Sequence, residues 1–344
     1  MKKRSRRFTW TACVLLMIAT DPIQGGQSLT SMTLVATGSS LPEPLYVAWG
    51  DEYHKQHPNV QIRYLPEGTQ QSSREILAGV GDLGGGDAPN PEKELKAATA
   101  PILELPSVLI GIVIVYNIPG TSGELRLTGP ALADIFLGKL KTWNDPLIAK
   151  LNPTLTLPAK PIQVIHRTDG KGSNYILSDY LCKVSPEFQS KLGRGESPKW
   201  PVGISAGRSI DMSEKVRDTP WSIGYTELNL AERDSLRMAR IRNAAGEFVL
   251  PTRDTIAAAA SETQLRADFR VSLTNAPGKT SYPISSFTWL YVPTRAKEPE
   301  RGRAVAEYLK WIYADGQSVA RDRGYATLPK DVLAKVTASA AAVR

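Results

Sequence analysis

The feature that most constrains the fold of this chain is a regular alternation of short, β-rich runs with stretches of helical periodicity. The segments that carry the alternation are, in chain order, Thr33–Ala36, Pro42–His57, Val60–Tyr64, Thr69–Ala78, Val108–Tyr116, Ile162–His166 and Gly172–Lys183. Within the first predicted helix, Leu45, Trp49 and Tyr53 form one apolar stripe at a spacing of four residues. Val108–Tyr116 has almost no polar residue, which is typical of a strand buried on both faces. The alternation predicts an α/β protein with largely parallel sheets.

Length and composition narrow the function classes. A chain of 344 residues exceeds what one hydrophobic core usually supports, so we expect two domains. About half of the formal net charge of +8 lies in the first 26 residues. The remainder has no block of like charges, and we therefore expect no nucleic-acid partner. Cys182 is the single cysteine after those residues, so no internal disulfide is expected there.

Residues 1–26 are predicted to form a signal peptide. A basic segment that ends at Arg7 is followed by the mostly apolar run Phe8–Ala19, whose twelve residues are too few to span a bilayer core of ~30 Å. An uncleaved anchor and a twin-arginine signal at Arg6–Arg7 remain open. A lipoprotein cysteine would close the apolar run, whereas Cys13 lies near its start. We expect cleavage and export to the periplasm.

Three turns that lead into predicted helices share a chemistry suited to an anion. They are Gly38–Pro42, Glu67–Thr69 and Arg167–Ser173. A helix N-terminus presents unpaired N–H groups and the positive end of the helix dipole. Hydroxyls, glycines that permit close approach of the backbone, and the guanidinium of Arg167 complete an oxyanion site. Each turn alone also fits an ordinary capped helix, but their combination indicates anion binding.

Other motifs do not support catalysis or a cofactor. Gly79–Gly84 matches a dinucleotide fingerprint but follows a helical stretch, whereas such a fingerprint follows a strand. Gly203–Gly207 matches a nucleophile elbow, yet every histidine of the chain precedes it. His54 and His57 have no cysteine or third histidine nearby and fit a solvated helix face. We expect no catalytic residue, no metal and no cofactor.

At these same turns the sequence resembles the phosphate-binding protein of the bacterial phosphate-specific ABC transporter. The resemblance covers nearly all of the chain after the leader. The segments that carry it are Gly38–Pro44, Gly84–Pro89, Asp134–Asp145, Arg167–Ser173, Lys199–Gly203, Ile223–Tyr225 and Tyr282–Ser286. A match in this order over so much of the chain is far more specific than any single motif.

The resemblance implies a two-lobed periplasmic-binding-protein fold of type II, with the ligand cleft between hinge-linked lobes. Lobe I would comprise residues 27–110 plus 286–344, and lobe II residues 111–285. The hinge crossings are expected near Leu109–Val113 and Ser281–Phe287. A C-terminal helix around Tyr308–Tyr313 would return to lobe I.

The resemblance also implies a set of phosphate ligands. Carried over residue by residue, they are Ser40, the Leu41 amide, Thr69, Asp87, Arg167, Asp169, Lys171, Gly172 and Ser173. The sequence departs from the family pattern in three places: Leu41 replaces an aromatic residue, Lys171 replaces a serine, and Gln70–Ser72 replaces small residues. The ammonium of Lys171 could reach the anion, pair with Asp169 or Asp87, or point to solvent.

The resemblance therefore implies an exported, monomeric, non-catalytic protein that captures inorganic phosphate and delivers it to the permease and ATPase of an ABC importer. Two alternatives stay open. One is a phosphatase-like enzyme on the same scaffold, which would need a nucleophile or a metal cluster. The other is a phosphate or oxyanion sensor that has lost transport.

Overall fold

The computed structural model describes residues 31–168 and 170–344. The predicted signal peptide, residues 1–26, and Asp169 of the predicted anion site lie outside the described residues. The strands are β1 (Met32–Gly38), β2 (Val60–Leu65), β3 (Leu83–Gly86), β4 (Ile102–Asn117), β5 (Arg126–Leu127), β6 (Gln163–Arg167), β7 (Ile204–Ala206), β8 (Ser222–Glu227), β9 (Arg237–Met238), β10 (Arg240–Arg242), β11 (Phe248–Val249) and β12 (Ser285–Pro293).

The helices are α1 (Glu43–Gln56), α2 (Thr69–Leu77), α3 (Glu92–Ala97), α4 (Gly129–Phe136), α5 (Pro146–Leu151), α6 (Gly172–Val184), α7 (Pro186–Lys191), α8 (Ser209–Asp218), α9 (Leu228–Arg233), α10 (Arg253–Ser261), α11 (Pro299–Tyr313), α12 (Gly316–Asp322) and α13 (Lys330–Ala340). The predicted α/β alternation is confirmed, because each predicted strand and helix overlaps one of these elements. Within the described residues, no helix is both long and apolar enough to span a membrane.

The main sheet has the strand order β2-β1-β3-β12-β4-β8-β6-β7, and β9 adds to β4. Its two ends are parallel: β1 pairs with β2 and β3, and β6 pairs with β7 and β8. The prediction of largely parallel pairing is wrong for the centre, where β12 runs antiparallel to β3 and β4, and β4 runs antiparallel to β8. Local periodicity does not fix strand direction, which depends on where the chain returns to the sheet.

Strand β4 passes through both halves of this sheet. It pairs with β12 as far as Gly111 and with β8 from Ile112 onward. The sequence predicts only the apolar part from Val108, because polar residues and Pro106 interrupt the pattern before it. The register between β4 and β12 shifts beside Pro106, and an irregularity of this kind tolerates a residue without an N–H donor.

An aromatic cluster joins α1 to the C-terminal helices. The predicted stripe is confirmed, since Leu45, Trp49 and Tyr53 are all buried. The Trp49 indole N–H donates to the Gly316 carbonyl at 2.7 Å. The ring of Tyr53 lies 4.9 Å from that of Tyr308, centroid to centroid. Helices α11 and α12 therefore both pack on α1, although 267 positions separate Trp49 from Gly316.

The loop after β3 depends on a glycine. A Cβ atom on Gly86 would lie 2.0 Å from the hydroxyl of Tyr291, whose ring is fully buried and whose hydroxyl donates to the Ala88 carbonyl. The ring therefore packs directly against the backbone that leads into Asp87. No larger residue fits at this position without displacing β12.

We predict that Gly86→Ala lowers the free energy of unfolding by about 1–3 kcal/mol, the usual cost of overpacking a core. Gly195→Ala serves as the control, because the nearest atom to its added Cβ is 4.0 Å away. Urea titration followed by circular dichroism gives both values. Equal stabilities of the two variants would contradict the packing argument.

Candidate anion-binding site

Asp87 follows β3 directly and its side chain is fully buried. The Thr69 hydroxyl donates to its Oδ2 at 3.3 Å, and the Asp87 amide donates back to that hydroxyl at 3.2 Å. Burial raises the pKa of Asp87 to about 6, although hydroxyl donors such as Ser39 and Thr288 oppose the rise. The other oxygen, Oδ1, is buried without a hydrogen-bond partner. Such an oxygen is costly unless a donor from a ligand or water reaches it.

Arg167 ends β6, and it is also buried. Its Nη1 donates to the Ser209 hydroxyl at 2.8 Å and its Nη2 to the Gly207 carbonyl at 2.9 Å. Longer bonds of 3.4 Å reach Ser173 and Ser40, and Nε has no hydrogen-bond partner. Burial lowers the pKa of the guanidinium, which nonetheless stays protonated. The group therefore retains donor capacity for an anion.

The turn before α1 brings hydroxyls to the same place. The Ser40 hydroxyl is one of the acceptors of Arg167. The Leu41 amide donates to the Ser39 hydroxyl at 3.1 Å, and the Leu41 side chain is buried. Helix α1 has no side-chain cap, and Pro42 supplies no amide donor at its start. The positions of the hydroxyl groups at the start of α1 are therefore set by the turn and not by a side-chain cap of the helix.

Helices α2 and α6 begin on the two sides of Asp87. Thr69 is the first residue of α2, and Gly172 is the first residue of α6. A Cβ atom on Gly172 would lie only 2.2 Å from Asp87 Oδ2, so only glycine permits this approach. Ser173 follows and is buried. The structure thus brings together every predicted site residue that it describes.

Lys171 occupies the N-cap position of α6 but makes no side-chain cap. Its Nζ lies 3.3 Å from the position that a Cβ would take on Gly68, in the loop before α2. Burial, and then the charge of Arg167, lower the pKa of the ammonium. No ion pair with Asp87 is found among the described residues. The side chain is half-buried and extends toward the loop before α2.

Two residues of the candidate site are not among those predicted from the sequence. Ser209 begins α8 and accepts from Arg167, and Glu227 ends β8 and is buried. Ser209 follows β7 at a fourth strand-to-helix turn. A hydroxyl residue at the start of a helix is the same pattern that predicts anion binding at the other three turns. Glu227 carries no comparable local signal, because only the fold brings it near Arg167.

The residues of the nucleophile-elbow match and the histidine pair on α1 have structural roles. Ser205 lies inside β7, where it pairs with His166, so it does not occupy a strand-to-helix elbow. The imidazole of His57 stacks on Tyr53 at 4.2 Å, and His54 Nδ1 lies 2.7 Å from the Val60 carbonyl oxygen. These contacts brace the end of α1.

The chain matches the family model described as the PBP superfamily domain over residues 24–316. Two similar relatives are both named phosphate-binding protein PstS. The one from Pasteurella multocida is 37% identical over 311 residues, which cover 90% of this chain and 90% of the relative. The one from Methanocaldococcus jannaschii is 34% identical over 329 residues, which cover 88% of this chain and 84% of the relative.

Solved structures of lower identity share the fold. A phosphate-binding protein from Stenotrophomonas maltophilia has a TM-score of 0.68 at 18% identity and covers 90% of this chain and 94% of its own. An ABC-type phosphate transport receptor from Vibrio cholerae has a TM-score of 0.61 at 15% identity, covering 86% and 100%. The predicted two-lobed periplasmic-binding-protein fold of type II is therefore confirmed. By sequence and by fold, this chain belongs to the PBP superfamily and, within it, to the PstS family of phosphate-binding proteins.

Proposed function

We propose that this protein is an exported solute-binding protein that captures inorganic phosphate and delivers it to an ABC importer. The observation that carries the proposal is a buried carboxylate oxygen without a donor, Oδ1 of Asp87, in the same site as the buried guanidinium of Arg167. Phosphate at neutral pH still carries a proton. It therefore offers both a negative charge to pair with Arg167 and a hydrogen-bond donor for Oδ1 of Asp87.

The proposed ligands combine charge, hydroxyls and helix N-termini. They are Ser40, Leu41 through its amide, Thr69, Asp87, Arg167, Asp169, Lys171, Gly172 and Ser173. The two cations would supply charge-assisted hydrogen bonds, which are about twice as strong as neutral ones. Helices α2 and α6 begin at Thr69 and Gly172, so their free amides support the same anion. Asp87 would accept the phosphate proton.

We assign lobe I to residues 27–110 plus 286–344 and lobe II to residues 111–285. The change of partner along β4, from β12 up to Gly111 to β8 from Ile112, supports a first crossing there. Ser285 is opposite Gly111 at the start of β12, which supports a second crossing beside the first. Bending at two adjacent strand segments would open and close the cleft over the anion.

The remaining parts of the proposal concern the setting of the protein. Residues 1–26 would be removed on export, and the carrier would act as a monomer in the periplasm. Its partners would be a permease and an ATPase, and it would not catalyse a reaction. Neither a phosphatase nor a sensor without transport is favoured by a specific observation. Purified protein that hydrolyses a chromogenic phosphate ester would favour the enzyme.

We predict that the protein binds phosphate far more tightly than sulfate and that Asp87→Asn removes most of this preference. Sulfate has no proton for the carboxylate, and sites built around a ligand hydroxyl reject analogues without it by up to ~10⁴-fold. Because the pKa of Asp87 is about 6, the preference should also fall as the pH drops below that value. Calorimetric titration with both anions measures it. Similar affinities in the wild type would contradict the role of Asp87.

We predict that Arg167→Ala weakens phosphate binding more than Ser173→Ala does. Removing the guanidinium leaves a buried anion beside buried carboxylates, at a cost of about 3–5 kcal/mol. Loss of one neutral hydrogen bond costs only about 1 kcal/mol. Calorimetry on both variants, after circular dichroism confirms folding, gives the comparison. A smaller loss for Arg167→Ala would mean that the arginine only braces Ser209 and Gly207.

We predict that phosphate affinity rises with pH more steeply in the wild type than in Lys171→Ser. An ammonium near the ligand favours the dianion over the monoanion, because Coulomb attraction scales with charge. The gain should end at alkaline pH, where the lowered pKa of Lys171 removes its charge. Titrations at several pH values and two salt concentrations test this. Identical pH profiles, with any difference erased by salt, would place the lysine at the cleft rim.

A further inference from the structure

Glu227 lies at the junction between the anion site and the strand crossing. It ends β8 and pairs with Ile112, the first residue of β4 that bonds to β8 rather than β12. The side chain is buried, and its Oε2 accepts a hydrogen bond of 2.8 Å from the Thr226 hydroxyl. Its Oε1 is buried without a hydrogen-bond partner. After Asp87, Glu227 is therefore the second buried carboxylate near Arg167 that has one oxygen without a hydrogen-bond partner.

Charged and titratable groups from four parts of the fold interact electrostatically with Glu227. They are Arg167 at the end of β6, Asp87 after β3, Arg233 of α9 and Tyr325 after α12, and the uncharged hydroxyl of Ser209 on α8 also lies beside the carboxylate. Burial raises the pKa of Glu227, whereas the Ser209 hydroxyl and the charge of Arg167 oppose the rise. In return, its negative charge raises the pKa values of Asp87 and Tyr325. The carboxylate therefore lies within electrostatic range of both key groups of the site.

An anion on Arg167 changes this balance. The positive charge of Arg167, which stabilises the ionised form of Glu227, would then also interact with the ligand. A further negative charge would enter a region of low dielectric. The ionised form of Glu227 becomes less favourable, while its unpaired Oε1 is free to carry a proton. We propose that Glu227 takes up one proton from solvent when a phosphate dianion binds at Arg167, and returns it when the anion leaves. The inference rests on the proposed function and identifies Glu227 as a residue that makes capture depend on pH.

The test compares the wild type with Glu227→Gln, in which the amide imitates the protonated carboxyl. Phosphate dissociation constants are measured by calorimetry from mildly acid to mildly alkaline pH. At the acid end the two proteins should bind equally, since Glu227 is already protonated. Toward alkaline pH the variant should bind more tightly, by tenfold for each unit by which the anion raises the pKa of Glu227. The titration of phosphate itself cancels in this ratio.

Further variants make the test specific. Glu214→Gln removes an exposed carboxylate on α8 and should match the wild type at every pH. If Glu227→Gln does not fold, Thr226→Val replaces it. Loss of the Thr226 hydrogen bond disfavours the ionised carboxyl, so binding should again tighten toward alkaline pH. Titrations in buffers of different ionisation enthalpy count the protons directly, and the Glu227 variants should take up fewer than the wild type.

The outcomes separate this inference from the proposed function. A ratio of affinities that stays constant with pH, with equal proton uptake in both proteins, would overturn the role of Glu227. A uniform loss of affinity in Glu227→Gln would also overturn it, because the carboxylate would then serve as a fixed anchor for Arg167. Failure of the wild type itself to bind phosphate would instead overturn the proposed function.

Discussion

The guanidinium of Arg167 is buried, and the groups around it offset the free-energy cost of burying its charge. Two buried carboxylates, Asp87 and Glu227, lie within electrostatic range of it, and hydroxyl and carbonyl oxygens accept from its Nη atoms. Each carboxylate keeps one oxygen without a partner, and the guanidinium keeps its Nε. Charges held in this way cost free energy when the site is empty. The proposed ligand, an anion that also carries a proton, would relieve much of this cost.

The same constraint explains why the site lies where the main sheet changes its pairing. Buried charges need partners from several elements, and strand ends near the centre of the sheet deliver them together. Arg167 and Glu227 end β6 and β8, and Asp87 follows β3. The strands β4 and β12 lie between these ends in the sheet, and β4 changes its partner there from β12 to β8.

Much of the site was predictable because the chemistry is local. A turn with hydroxyls or glycines before a helix predicts free amides at that helix start, and the turns at Ser40, Thr69 and Gly172 all meet in the structure. The apolar run from Val108 likewise predicted the buried part of β4. The segment before it was missed because Pro106 and its polar neighbours hide a strand that only the pairing with β12 reveals.

The sequence by itself determined the alternation of elements, the apolar stripe of α1 and the helix starts that surround the candidate anion site, because each depends on residues within one or two turns of chain. The tertiary structure alone decided the antiparallel centre of the sheet, the direction taken by Lys171 and the place of Glu227. These depend on strand order and on interactions between segments that are distant in the chain. Arg167 and Glu227, for example, are 60 positions apart. No local pattern records such contacts, since the free energy that fixes them comes from packing and from the mutual neutralisation of buried charges.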